Sequence, residues 1–124
     1  DYWEYLDITR YPSLKDFLEK TAGEPLFFFS TKARRVYSSV PYPHGAWLVF
    51  GREDAGLPEE LLLANPDRCV RLPMRSGLRS LNLANTVAVG TYEALRQWGF
   101  PELQNQGRLR EFPWPEDQGA WDLL

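Results

Sequence analysis

The sequence predicts an α/β fold: a mostly parallel sheet with helices on both faces. Three observations carry that expectation. Short apolar runs at Leu26-Phe27-Phe28-Phe29, Ala46-Trp47-Leu48-Val49-Phe50 and Cys69-Val70-Arg71-Leu72 alternate with helical patterns along the chain. The first two runs are continuous rather than alternating, the mark of strands buried on both faces. Each run gives way to a polar or glycine-containing loop: Ser30-Thr31-Lys32, then Gly51 to Pro58, then Pro73 to Asn82.

Residues 1–11 are aromatic and irregular, punctuated by Tyr11-Pro12. Ser13 reads as an N-cap with Asp16 three residues on, and Leu14, Phe17 and Leu18 share one face of a helix that Gly23 and Pro25 stop. The stretch 33–45 is expected as a short helix or loop, with His44 as a turn residue between Pro43 and Gly45. Pro58 suits a first helical position, with Glu59 and Glu60 behind it where a helix start favours acid groups, and Asn65-Pro66 breaks that helix. Cys69 is expected as a small core residue. The longest helix follows, its apolar face read from Ala84, Val87, Ala88, Thr91, Tyr92 and Leu95 at 3.6 spacing. Gly90 in its middle costs about 1 kcal/mol against Ala, so something is expected to pack close there. Gly99 and Pro101 end it, and the rest is a polar, Pro- and Trp-containing tail over the surface or a partner.

A chain of 124 residues is one domain with a real core. No run approaches the roughly 20 apolar residues of a membrane span, and Asp1-Tyr2-Trp3-Glu4 is no signal peptide. One Cys and one His argue against a disulfide framework and a His/Cys zinc site, and suit a reducing cytoplasm. A formal charge of −3 argues against non-specific coating of nucleic acid, although Lys32, Arg34 and Arg35, and Arg68, Arg71, Arg75 and Arg79, form two basic clusters. A chain that opens on Asp1 with only three strands is expected to lack an N-terminal portion, or to borrow strands from a partner.

Function is expected where two loops meet. The loop after Leu72 delivers Arg79, Ser80 and Asn82 to a helix start, whose unpaired N–H groups make a ligand cradle. Gly51-x-Glu53-x-x-Gly56 is neither the dinucleotide fingerprint nor a Walker loop. No Ser-His-Asp or Cys-His set is present, and capping accounts for only one of Ser80 and Asn82.

Phe50-Gly51-x-Glu53-x-x-Gly56-Leu57-Pro58, then Leu72-Pro73-Met74, then Arg79-Ser80-Leu81-Asn82-Leu83-Ala84-Asn85-x-Val87-Ala88-Val89 resemble, in this order, motifs of the SPOUT RNA methyltransferases. The similarity is greatest to the TrmL/YibK-type tRNA 2′-O-methyltransferases of the wobble nucleotide. It covers residues 1–101, read as the C-terminal part of a single SPOUT domain, with 102–124 as a tail. The resemblance implies a C-terminal trefoil knot and a homodimer. It also implies S-adenosylmethionine held by Phe29, Gly51, Glu53, Leu72, Met74 and Ser80, without a metal. It further implies a reacting centre shaped by Arg79, Ser80 and Asn82, and contacts to tRNA or the dimer partner from Lys32, Arg35 and Tyr92. The family's N-terminal motif, Pro-Glu-x-Pro-x-Asn-Thr-Gly-Asn followed by Arg, has no counterpart here, so these residues alone are expected to be catalytically incomplete. The competing expectations are a ribosomal RNA 2′-O-methyltransferase of the same class and a non-catalytic RNA- or nucleotide-binding module.

Overall fold

Strands β1 (Leu26–Phe29), β2 (Arg35–Val36), β3 (Trp47–Phe50) and β4 (Cys69–Arg71) form one sheet in the order β2-β4-β1-β3. Every neighbouring pair is parallel. In this computed structural model residues 6–77 and 81–115 are described. β1 lies inside the sheet, and its four residues are all buried, as the unbroken apolar run requires. The register sets Phe29 beside Phe50 on one flank and Val70 on the other.

Helices α1 (Leu14–Lys20), α2 (Glu59–Ala64) and α3 (Leu83–Gln97) complete the layers. Side chains alternate along β1, so the core divides in two. Phe27 and Phe29 cluster with Val40, Tyr42, Val70 and Ala94 on the α3 side. Leu26 and Phe28 cluster with Leu57 and Cys69, against Phe17 of α1 and Leu61 and Leu62 of α2. Cys69 is buried as expected; its Sγ–H donates toward the Asn65 carbonyl at 3.1 Å, and burial pushes its pKa up. The Ser13 Oγ accepts from the Asp16 N–H at 3.1 Å, which makes it the N-cap of α1. Among the described residues, no helix is long and apolar enough to cross a membrane.

Three expectations need correction. The stretch 33–45 contains a strand, β2, followed by a single 3-10 turn at Tyr37–Ser39. β2 is two exposed residues paired, among the described residues, on one side only, so it carries no apolar signature. β3 is only partly buried, because it is an edge of the described sheet. α3 turns a different face inward from the one its apolar residues mark. Gly90, Glu93 and Ala94 are its buried residues, whereas Ala84, Val87, Ala88, Thr91 and Tyr92 are exposed, Tyr92 at 61%.

Close approach and hydrogen bonding explain that face. A Cβ on Gly90 would sit 2.9 Å from the Phe29 Cζ and 3.5 Å from the Phe50 Cζ, so the helix crosses the sheet where it has no side chain. Two turns on, the Gln97 amide accepts from the Tyr42 N–H at 2.9 Å and donates to the Val40 carbonyl at 2.9 Å. The indole N–H of Trp98 donates to the Tyr42 carbonyl at 2.6 Å, and His44 stacks on the Trp98 ring at 4.5 Å. Glu93 accepts from Gln97 at 2.8 Å and from Arg96 through two bonds of 2.9 Å. These polar groups fasten the buried crossover at residues 40–42 to the helix and satisfy backbone groups that belong to no ladder.

Gln97→Ala is expected to cost about 1–3 kcal/mol, because it strands a buried N–H and a buried carbonyl. A lowered urea midpoint at unchanged m-value would show this. Hydrogen bonds from Arg96 hold the Glu93 carboxyl below the ordinary glutamate range. A depressed carboxylate contributes stability that is complete above its unfolded-state pKa and is lost as pH falls through the folded-state value. Glu93→Gln is therefore expected to be less stable than the parent at neutral pH and to lose less on acidification. The two urea midpoints should converge as the pH falls below the ordinary glutamate range.

Candidate functional site

Parallel strands all finish at one edge of the sheet, so Phe29, Phe50 and Arg71 end side by side. β3 and β4 flank β1 on opposite sides, and the chain reverses its direction of travel across the sheet between them. Such a reversal opens a crevice beyond the carboxyl ends of the strands. A cavity of about 490 Å³ lies there, within the range of small-molecule sites.

The first wall is the turn after β1. The Ser30 N–H donates to the Val70 carbonyl at 2.9 Å, and the Ser30 Oγ accepts from the Lys32 N–H at 3.1 Å. Arg71 reaches across from β4, its guanidinium donating to the Thr31 carbonyl at 3.0 Å. Lys32 pairs with Glu59 in the first turn of α2, and its donated hydrogen bond holds the Glu59 carboxyl below the ordinary glutamate range. Both partners of that pair are more than half exposed, so it orders the turn and adds little stability.

The second wall is the turn after β3. Arg52 and Gly56 face each other in an isolated antiparallel bridge, with the Gly56 N–H donating to the Arg52 carbonyl at 2.8 Å. Gly56 has φ +69°, a left-handed conformation that favours glycine. A Cβ on Gly51 would overlap the returning backbone at Gly56 and Leu57, so this tight fold needs glycine. Arg52 and Asp54, both cavity-lining and well exposed, pair at 2.9 Å.

The third wall follows β4 and ends at the start of α3. Leu72 and Met74 line the cavity from irregular backbone, and Leu81 and Asn82 close it. The Asn82 Oδ1 accepts from the Ala84 N–H at 2.8 Å and the Asn85 N–H at 3.4 Å. Asn82 is thus the N-cap, and it occupies part of the helix start that the sequence suggested as an open cradle.

The residues expected to hold a cofactor, Phe29, Gly51, Glu53, Leu72 and Met74, all line this one cavity, and Lys32 and Asn82 join them. Arg79 and Ser80 lie outside the described residues. Arg35 is not among the lining residues; it pairs with Asp67 at 3.0 Å on the far side of β4. Tyr92 is on the exposed face of α3. Sequence reasoning counted Arg71 only as one of a basic cluster and missed its grip on Thr31, which joins residues 40 positions apart.

The profile of the SpoU rRNA Methylase family matches residues 1–92. The chain belongs to this family. A Listeria innocua protein, provisionally named a tRNA (cytidine(34)-2′-O)-methyltransferase, is 47% identical over 106 residues, which are 83% of this chain and 63% of the relative. An Escherichia coli K12 protein named tRNA (cytidine(34)-2′-O)-methyltransferase is 42% identical over 102 residues, covering 82% and 65%. The chain thus spans somewhat under two thirds of the length of these relatives. A solved structure titled for the 2-OH methylation of C/U34 on tRNA superposes with TM-score 0.73 at 39% identity, covering 80% of this chain and 61% of that one. An AdoMet-bound rRNA methyltransferase from Sinorhizobium meliloti gives TM-score 0.57 at 29% identity, covering 67% and 33%. The SPOUT resemblance of the motifs, and its TrmL-type subgroup, are borne out by these relatives, as is the parallel α/β sheet.

In this SpoU-family chain the second turn offers a direct test. Gly51→Ala is expected to cost about 1–3 kcal/mol by overpacking the loop against its own backbone. Gly107→Ala, where a Cβ meets nothing within 4 Å, should leave the urea midpoint in place.

Proposed function

We propose that the full-length protein transfers a methyl group from S-adenosylmethionine to the ribose 2′-hydroxyl of a tRNA anticodon wobble nucleotide. The observation that carries this reading is the convergence of three strand-end turns on one cavity in a chain of the SpoU family. The wobble position and the tRNA substrate come from the relatives named for position 34 and from the C/U34 structure. Phe29, Leu72 and Leu81 supply an apolar wall for an adenosine, and the irregular backbone at Leu72 and Met74 runs along the cavity, where its main-chain groups suit an adenine edge. Gly51 lets the backbone come close, and Glu53 lies on the same turn. The residues therefore fit the cofactor, which when bound supplies an electrophilic methyl on sulfonium. The chain's own part is positioning, worth several kcal/mol where the reacting atoms are held in line, and assistance to a poorly acidic hydroxyl. We assign that part to Asn82, with Arg79 and Ser80.

The same reading takes the connection between β4 and α3 as part of a trefoil knot, and the protein as a homodimer in the cytoplasm. The exposed stripe of Ala84, Val87, Ala88 and Tyr92 supports a contact between copies. Lys32, Arg35 and Tyr92 are then contacts to tRNA or to the second copy. The apolar β3 at the sheet edge supports further strands beside it. Ribosomal RNA is the second reading, favoured by the family description and the Sinorhizobium structure. That structure matches less well than the tRNA-directed one, with TM-score 0.57 against 0.73.

Full-length protein with labelled S-adenosylmethionine is expected to methylate total tRNA and not ribosomal RNA; no incorporation into any RNA defeats the reading. Asn82→Ala should lower the rate by a factor of roughly 100, the lower range for a lost amide that hydrogen-bonds at a reacting centre. Asn82→Ser keeps an N-cap and should still be slow. Full activity of the Ser variant would reduce Asn82 to a cap.

A further inference from the structure

We propose that Gly90, which lines no part of the cavity, is a positioning residue for it: by presenting no side chain it leaves the Phe29 ring room to lie where it forms the cavity wall. The inference rests on the cofactor reading above and deepens it. The Phe29 and Phe50 rings stack at a centroid distance of 4.6 Å, and both line the cavity. Gly90 lies directly over that stack; its missing Cβ would fall 2.9 Å from the Phe29 Cζ and 3.0 Å from Cε2. A terminal ring atom usually yields cheaply, but this ring is 6% exposed and has little room to retreat. It shares a core cluster with Val70, fully buried, and with Tyr42 and Ala94. Phe50 closes a further side, so the open space left to a displaced ring is the cavity.

A glycine inside a 15-residue helix is otherwise a defect, since alanine there raises helix stability. The steric argument reverses the sign expected from propensity. It also separates a helix effect from a pocket effect, because Thr91 is the next residue and faces solvent.

Calorimetry on the full-length protein with S-adenosylhomocysteine is the test. Gly90→Ala is expected to weaken binding about tenfold, equivalent to about 1.4 kcal/mol. Thr91→Ala should leave the affinity unchanged. In a Phe29→Leu background the Gly90→Ala penalty should vanish, because the shorter side chain no longer meets the added methyl. Undiminished affinity in Gly90→Ala, or an equal penalty in both backgrounds, overturns the inference. If Gly90→Ala does not fold, the double variant is compared with Phe29→Leu alone: equal affinity supports the inference, and a further loss overturns it. If the parent protein shows no heat with S-adenosylhomocysteine, the cofactor reading fails. A crystal structure of Gly90→Ala then decides the steric claim by whether the Phe29 ring has moved into the cavity.

Discussion

Phe29 has to satisfy two surroundings at once. It is the last residue of a strand buried on both faces, and the ring that completes the core beneath α3 also forms a wall of the strand-end cavity. Because Phe29 pairs in register with Phe50 and Val70, its place is fixed by ladders on both sides of β1. Core packing and pocket shape are therefore one problem in this molecule. Interiors packed like organic crystals transmit small displacements rather than absorb them, so a change behind Phe29 is felt in front of it.

The three turns are held by different means, and each means suits a strand end that must stay put without being buried. Glycine backbone closes the turn after β3. A guanidinium from β4 and an ion pair to α2 hold the turn after β1. The third wall depends on the cap that Asn82 gives α3. Exposed ion pairs contribute little to global stability, but a charged side chain bonded to a carbonyl, as Arg71 is to Thr31, removes conformations from a loop. Positioning of that kind is what the proposed methyl transfer asks of its enzyme.

The sequence made the interior strands legible because burial on both faces leaves an unbroken apolar run, as in Leu26-Phe27-Phe28-Phe29. It made helix starts legible where a short polar side chain caps, as Ser13 does. β2 was not legible, since two exposed residues at an edge have no pattern to read. α3 showed why periodicity can identify a helix and still misassign its face. The 3.6 spacing was real, but the sheet-facing side was chosen by a glycine that admits two aromatic rings and by Gln97, whose partners at Val40 and Tyr42 lie in another segment. The cavity was legible through its glycine turn and the Leu72-Pro73-Met74 stretch, while the Arg71 and Lys32 links join residues 40 and 27 positions apart and leave no local trace.

Two surfaces carry more apolar character than their present burial uses: β3, whose run Trp47-Leu48-Val49-Phe50 lies at a sheet edge, and the outer stripe of α3. A strand edge and a helix face accept different things. The edge offers unpaired N–H and carbonyl groups, which another strand satisfies by lateral pairing. The helix stripe has its hydrogen bonds closed internally and offers only apolar area, which a second helix satisfies. The reading proposed above assigns one occupant to each, further strands to the β3 edge and a second copy to the α3 stripe.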